Sequence, residues 1–226
     1  MAKLLLATLL VCIGCGVINY SVNGIVGSRL ITADVVNHRV LIWNKIPNST
    51  NQAADLVLGQ PDFTANVINN TPDAPGTISA YSIRHPQGIS DTGDKLIIAD
   101  QLNNRITIWN TFPTRNHQPA DIVLGQPTMT TGNANIGGRS ARTLSNVIQL
   151  AYDGTHLMVA DQVNRRLLIW NSLPTVDQQA ADLVRCAFVS SVASTGKKML
   201  ITDKNQNRVM IWNTFPTVSG QAADIV

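Results

Sequence analysis

The side chains with the greatest capacity for chemistry in this chain recur as a triplet of an acid, an amide and a base. Each of four tryptophans, Trp43, Trp109, Trp170 and Trp212, is preceded by an Asp at nine residues, an amide at six and an Arg at four. The triplets are Asp34, Asn37 and Arg39; Asp100, Asn103 and Arg105; Asp161, Asn164 and Arg166; and Asp203, Gln206 and Arg208. A carboxylate and a guanidinium so spaced can pair across one tight hairpin, and Asn in the turn can bond to its own backbone. Because the set occurs in every copy, we expect it to build the repeat rather than to form a ring of ligands.

Histidine is the residue type here that could hold a catalytic metal ion. The four histidines are His38, His85, His117 and His156. None recurs at one repeat position, because His38 aligns with Asn104, Arg165 and Asn207 in the other copies. The chain has no G-x-S-x-G or phosphate-loop motif, and its Cys12-x-x-Cys15 pair lies in an apolar segment. We therefore assign no catalytic, cofactor-binding or metal-binding residue and predict no cofactor.

The elements that must position the triplets read as short strands. Each copy has an apolar run ending in the Asp, a four-residue polar turn, and then a run such as RVLIWN that is rich in β-branched and aromatic residues. A third run, such as ADLVLG, follows, and a fourth strand is visible at 85–90. The tryptophans are 66, 61 and 42 residues apart. Four short strands in about 40 residues predict an all-β propeller blade of four antiparallel strands.

Both faces of the tryptophan strand are apolar. In the first copy Leu41 and Trp43 share one face, and Val40 and Ile42 share the other. Such a sheet must be covered on both sides, as it is between two neighbouring blades. We therefore expect the tryptophans to pack in the core rather than to stack on a carbohydrate.

The segments HPQGIS and LIIADQLNNRITIW (96–109) resemble the NHL-repeat family of β-propellers. The Asp, amide and Arg part of the resemblance covers all four copies, and the Pro-x-Gly opening is clear at 86–88. The ADxVLGQP extension resembles a bacterial exported variant. The resemblance implies a ring of six blades, so residues 19–226 are expected to be a partial propeller, truncated at its C-terminus. An incomplete ring leaves two blade faces uncovered, and we expect those faces to carry Val40, Ile42, Val209 and Ile211. Some lyases of this kind hold a metal with histidines, and some NHL propellers bind RNA through a basic face.

The N-terminal segment has the pattern of an export signal. Residues 1–18 contain Lys3 followed by apolar or small residues, and no charged residue follows before Arg29. The apolar run is shorter than the roughly 20 residues of a spanning helix. Gly14-Cys15 resembles a bacterial lipoprotein processing site, with Cys15 as the lipidation candidate; the other interpretation is a hydrophobic first strand. We expect an exported protein, periplasmic, at the cell surface or secreted, with the membrane contacted only through a lipid anchor at Cys15.

The composition of the chain limits which classes of binding partner are expected. The net charge is +3 and charged residues make up 14% of the chain, with no Lys/Arg cluster to bind phosphates, so we expect no nucleic-acid partner. The copies differ in two insertions, 59–84 and 125–146, which map either to a binding face or to solvated length variation. The sequence favours a binding or scaffold module for a protein or glycan over an enzyme. The alternatives are a metal-dependent hydrolase or lyase with its site in the central channel, and a non-functional fragment.

Overall fold

The computed structural model describes residues 20–26 and 29–226, so the predicted leader over residues 1–18 and Cys15 lie outside the described residues. The described residues form four antiparallel sheets, which we call blades 1 to 4. Blade 1 holds β1 (Tyr20–Val26), β2 (Arg29–Asp34), β3 (Arg39–Trp43) and β4 (Leu56–Leu58). Blade 2 holds β5 (Pro86–Asp91), β6 (Leu96–Asp100), β7 (Arg105–Trp109) and β8 (Ile122–Leu124). Blade 3 holds β9 (Val147–Tyr152), β10 (Leu157–Asp161), β11 (Arg166–Trp170) and β12 (Leu183–Cys186). Blade 4 holds β13 (Val189–Ser194), β14 (Met199–Asp203) and β15 (Arg208–Trp212).

Every blade is a meander in which sequential strands pair. The predicted strand before each Asp and the predicted tryptophan strand are both present in all four copies, and the third predicted run forms a strand in three. In blade 4 its place is taken by a single bridge between Ile211 and Ile225. No helix among the described residues is long and apolar enough to span a membrane.

The hairpin turn between the second and third strands of each blade places the triplet. The Asp that ends one strand is the register partner of the Arg that begins the next, as in Asp100 opposite Arg105. The residue before each Arg adopts a left-handed backbone conformation, with φ between 48° and 54° at His38, Asn104, Arg165 and Asn207. Asn tolerates this region better than most residues, which explains its use at two of the four positions.

The blades stack in chain order around three apolar cores, the arrangement of neighbouring blades in a β-propeller. The first core lies between blades 1 and 2, the second between blades 2 and 3, and the third between blades 3 and 4. The first strands of successive blades, β1, β5, β9 and β13, contact one another in series. All residues of β7 and β11 are buried, as the two apolar faces of these strands predict.

The stacking has one direction, which corrects one sequence-based expectation. We expected Val40, Ile42, Val209 and Ile211 to lie on uncovered faces. Val40 and Ile42 are completely buried against blade 2, and the partly exposed apolar residues of β3 are Leu41 and Trp43. Val209 of blade 4 is 44% exposed, as expected. The face with Val40 always turns toward the next blade and the tryptophan face toward the preceding one, so the two end blades leave opposite faces uncovered.

Candidate functional site

The Asp, amide and Arg side chains of each triplet meet at the hairpin turn. In blade 2, Oδ2 of Asp100 accepts hydrogen bonds from Nε of Arg105 and from the amide of Asn103, each at 2.8 Å. Blades 1 and 3 repeat both bonds at 2.7 to 3.0 Å. The Asp and Arg side chains of blade 2 are completely buried. The predicted acid–base contact is therefore present in these blades, between the second and third strands of each.

In blades 2 and 3 the Nη2 atom of the guanidinium contacts the loop that precedes the blade. Nη2 of Arg105 donates to the carbonyl oxygens of Ser79 and Ser82 at 2.9 and 2.8 Å. The second oxygen of Asp100 accepts the backbone N–H of Arg84 at 2.7 Å. Blade 3 has the same contacts from Arg166 to Ser140 and Thr143, and from Ser145 to Asp161, at 2.7 to 2.8 Å. We call residues 79–84 and 140–145 the plugs of blades 2 and 3.

The plugs form the C-terminal parts of the two insertions and are built into the fold. Ile83 and Leu144 are buried in the inter-blade cores. Gly59 and Gly125 make this possible, because a Cβ atom at either would lie within 3 Å of that side chain. The fully buried amide of Gln126 donates to carbonyls on the hairpin turn and within the insertion, and Gln60 does the same in blade 1. The plugs and these two glutamines are therefore structural parts of the fold rather than solvated length variation.

Blade 4 has no plug. Only two residues, Ala187 and Phe188, separate β12 from β13. Arg208 is 41% exposed and approaches Asp203 only at 3.3 Å, whereas Arg105 is 0% exposed. Gln206, which replaces the Asn of the other copies, is exposed. The Oδ1 atom of Asp203 is buried and has no hydrogen-bond partner.

An open cleft of about 320 Å³ lies where the plug of blade 4 would be. Its lining residues are Arg165, Cys186, Ala187, Phe188, Asp203, Asn205, Gln206 and Arg208. Cys186 stands 16 residues after Trp170, the position that Gly59 and Gly125 hold in their copies, and it is an exposed free cysteine. The guanidinium of neighbouring Arg185 lies 4.2 Å above the ring of Trp212. Burial and the positive charge of Arg208 lower the pKa of Arg185.

Two histidines that are distant in sequence meet between blades 1 and 2. Nδ1 of His38 accepts the backbone N–H of His85 at 3.2 Å, and Nδ1 of His85 lies 3.1 Å from the side-chain oxygen of Gln101. Between blades 2 and 3 the equivalent hydrogen bond runs from the backbone N–H of Asn146 to Oδ1 of Asn104 at 2.8 Å. Burial, followed by His85 and Arg84, lowers the pKa of His38. These contacts join one blade to the next.

The remaining histidines are separate from this pair. His117 is buried against Tyr81, its Nε2 lies 3.0 Å from the carbonyl oxygen of Asn70, and burial lowers its pKa. His156 stacks on Phe215 with ring centres 3.6 Å apart. Across the part of the chain that the structure describes, no three His, Cys, Asp or Glu side chains are grouped to hold a metal ion.

The tryptophans are placed for packing. Trp109, Trp170 and Trp212 are buried in the inter-blade cores, and the indole N–H of each donates to the backbone carbonyl nine residues later at 3.1 to 3.2 Å. Trp43 makes the same bond to Gln52 at 3.0 Å, although its ring is partly exposed. Three of the four indole rings are therefore closed to a sugar.

No known protein family and no curated protein matches this chain. Among solved structures, it is similar to Hsv2p of Kluyveromyces lactis, with 11% sequence identity over 83% of this chain and 53% of that chain, at a TM-score of 0.44. A second structure of Kluyveromyces lactis Hsv2 is similar at 9% identity over 87% of this chain and 62% of that chain, at a TM-score of 0.36. The chain thus spans less than two thirds of the length of these proteins.

Proposed function

We propose that this chain is an exported NHL-type propeller module, part of a six-bladed ring, that binds a protein or glycan partner through the cleft on blade 4. One observation carries the proposal. Blades 2 and 3 satisfy their Asp and Arg side chains with a plug, whereas blade 4 leaves a guanidinium exposed and a buried carboxylate oxygen unpartnered. The exposed guanidinium is a charged donor whose hydrogen bonds a ligand can supply in place of water.

The chemistry of the cleft supports binding over catalysis. The guanidinium of Arg208 is a planar donor, suited to holding carbonyl or other oxygen acceptors in a fixed geometry. The unpartnered oxygen of Asp203 is an acceptor, and neither group is arranged as a nucleophile with an adjacent base.

The pair of His38 and His85 is the place to test the metal-dependent alternative. Two imidazoles are short of the three protein ligands that a catalytic zinc site requires. The purified protein should therefore contain well under one equivalent of zinc or another transition metal. Stoichiometric metal that is lost from the variant His38→Asn would favour the hydrolase or lyase.

A photoreactive amino acid at Asn205, an exposed cleft residue, tests the binding function in the exported fraction of producing cells. We expect one dominant cross-linked species, which is lost when Arg208→Gln is added. Leu102 occupies the same turn position in plugged blade 2 and is the matched control. The absence of any adduct, or equal adducts from both positions, would refute binding at the cleft.

Export is tested separately. Residues 1–30 fused to a reporter should carry it out of the cytoplasm. If Cys15 is lipidated, Cys15→Ser should move the protein from the membrane fraction to the soluble one. A reporter that stays wholly cytoplasmic would remove the exported part of the proposal, and an unchanged partition would remove the lipid anchor.

A further inference from the structure

We infer that the cleft on blade 4 binds a polypeptide loop of a partner protein whose main chain reproduces the plugs of blades 2 and 3. The inference rests on the proposed binding function and names its ligand class. A preceding peptide loop contacts the Asp and Arg of the triplet in blades 2 and 3, whereas in blade 4 only Ala187 and Phe188 stand in place of that loop.

The plugs define what a ligand must offer. In blade 2, two carbonyl oxygens three residues apart accept from Nη2 of Arg105, and one N–H five residues after the first donates to Asp100. Blade 3 repeats this pattern with the same spacing. Arg208 and Asp203 are the corresponding groups of blade 4, and they line the cleft. In blade 4 the chain's own Ala187 holds the backbone position of Arg84, two residues before the register partner of the Asp, so Arg208 is the group left for a ligand. The ligand must therefore present two acceptors three residues apart, as a peptide backbone does.

A third point of recognition supports a peptide over a glycan. The carbonyl of Ala80 accepts the backbone N–H of Ala120, and that of Ala141 accepts the N–H of Ala181, both at 2.9 Å. Ala223 holds this position in blade 4, eleven residues after Trp212, where no plug approaches it. Successive backbone carbonyls match a row of donors at Arg208 and Ala223, whereas sugar hydroxyls have no corresponding repeat.

The side chains of the plugs indicate the preferred loop sequence. The plugs read SAYSIR and SARTLS. In each, the hydroxyl of Ser82 or Thr143 accepts the N–H of the serine three residues earlier at 2.9 Å, which shapes the turn before it docks. A ligand loop of the form Ser-Ala-x-Ser/Thr would have this turn preorganised, so it would lose less conformational entropy on binding.

Cys186 sets a limit on the next residue of the ligand. Gly59 and Gly125 leave space for Ile83 and Leu144, but Cys186 carries a side chain at that position. The ligand residue that follows Ser/Thr must therefore be small. This feature separates the inferred ligand from the chain's own plugs and would keep the plug of another copy out of the cleft.

The test uses the full chain and a fluorescein-labelled peptide of residues 77–85 in which alanine replaces Ile83. Fluorescence anisotropy should show saturable binding that is at least tenfold tighter than that of the peptide with Ile83 retained.

Arg208→Gln should weaken binding of this peptide at least tenfold, because it removes charge-assisted hydrogen bonds to two carbonyls. Arg139→Gln, at an exposed arginine outside the cleft, should leave binding unchanged.

A second variant guards against loss of fold. Arg208→Lys keeps the charge but loses the planar fork, so it should bind the peptide more weakly than the unmodified chain while melting at the same temperature. No saturable binding, or equal binding by Arg208→Gln and Arg139→Gln, would overturn the inference. A glycan cross-linked at Asn205 would overturn it as well but preserve the proposed function. Failure of all cross-linking at Asn205 would count against the proposed function itself.

Discussion

Nε of Arg105 donates to Oδ2 of Asp100 across 2.8 Å, and both side chains are completely removed from solvent. Asp100→Ala should therefore lower the free energy of unfolding by about 3 kcal/mol, because it leaves the guanidinium buried and uncompensated. Asp203→Ala should cost less than about 1 kcal/mol, since its partner Arg208 is already solvated. Urea denaturation of the two variants measures the difference. Equal losses, or an Asp100→Ala variant with unchanged stability and abolished binding, would show that the triplet is not structural.

His38, at the contact between blades 1 and 2, should make the stability of the protein depend on pH. Burial lowers the pKa of His38 from its usual 6.5, so the folded protein binds fewer protons than the unfolded chain just below that pH. Stability is then complete above about pH 6.5 and falls as the pH decreases toward the lowered pKa. Arg84 and His85 add to this lowering, while Asp34 and Asp100 oppose it.

His38→Asn is the matched variant for this contact. Asn104, between blades 2 and 3, shows that an asparagine oxygen can accept the equivalent backbone N–H. The variant should fold normally and show a shallower loss of stability between pH 6.5 and 5, measured by urea midpoints. His117, whose pKa burial also lowers, contributes to the remaining slope. A slope identical to that of the unmodified chain would exclude His38 as its source.

Gly125 should be far less tolerant of a side chain than Gly154. Both have positive φ angles, of 87° and 97°. A Cβ atom at Gly125 would lie 2.4 Å from the Leu144 side chain, whereas nothing lies within 4 Å of one at Gly154. Since backbone strain is common to both, Gly125→Ala should cost about 2 kcal/mol more than Gly154→Ala, the range of an overpacked core. Thermal unfolding of the pair tests this, and equal costs would mean that the plug of blade 3 yields freely.

The uncovered face of blade 4 should promote association. Val209 is 44% exposed on an apolar strand, and burying such a side chain stabilises by roughly 1.5 to 3 kcal/mol. Residues 20–226 expressed alone should self-associate, and Val209→Lys should reduce this association. Val40→Lys, at a completely buried site, should instead unfold the protein. Light scattering after size-exclusion chromatography distinguishes these outcomes, and a monomer with a cooperative melt would favour a closed four-bladed ring.

The repeat was predictable because its key positions have narrow chemical requirements. A hairpin closed by Asp and Arg, with a residue of left-handed conformation before the Arg, requires a fixed spacing of Asp and Arg, and all four copies have it. The stacking direction was not predictable, since Val40 and Leu41 are both apolar and only the assembled blades show which faces its neighbour. The contact of His38 with His85 likewise joins residues 47 positions apart in different blades.

The plugs were not predicted from the sequence, because they lie in segments rich in Asn, Thr, Gly and Pro, a composition typical of exposed loops. The sequence nevertheless contains a signal for them. Ser79 and Ser140 each stand 21 residues before the Asp of the next triplet, and each is followed by Ala. An alignment of the copies on that Asp therefore aligns the two plugs. The buried Gln60 and Gln126 gave no such signal, because a glutamine in Gly-Gln-Pro is also typical of an exposed turn.

The two-residue connection between β12 and β13 has a consequence for how duplicated units diverge. A new recognition surface is usually pictured as the result of added loops or accumulated substitutions. Here, a difference in linker length would be sufficient, since a donor that a longer connection secures within the chain is left free by a shorter one. The two copies with the longer connection would then show the backbone shape that suits the shorter copy.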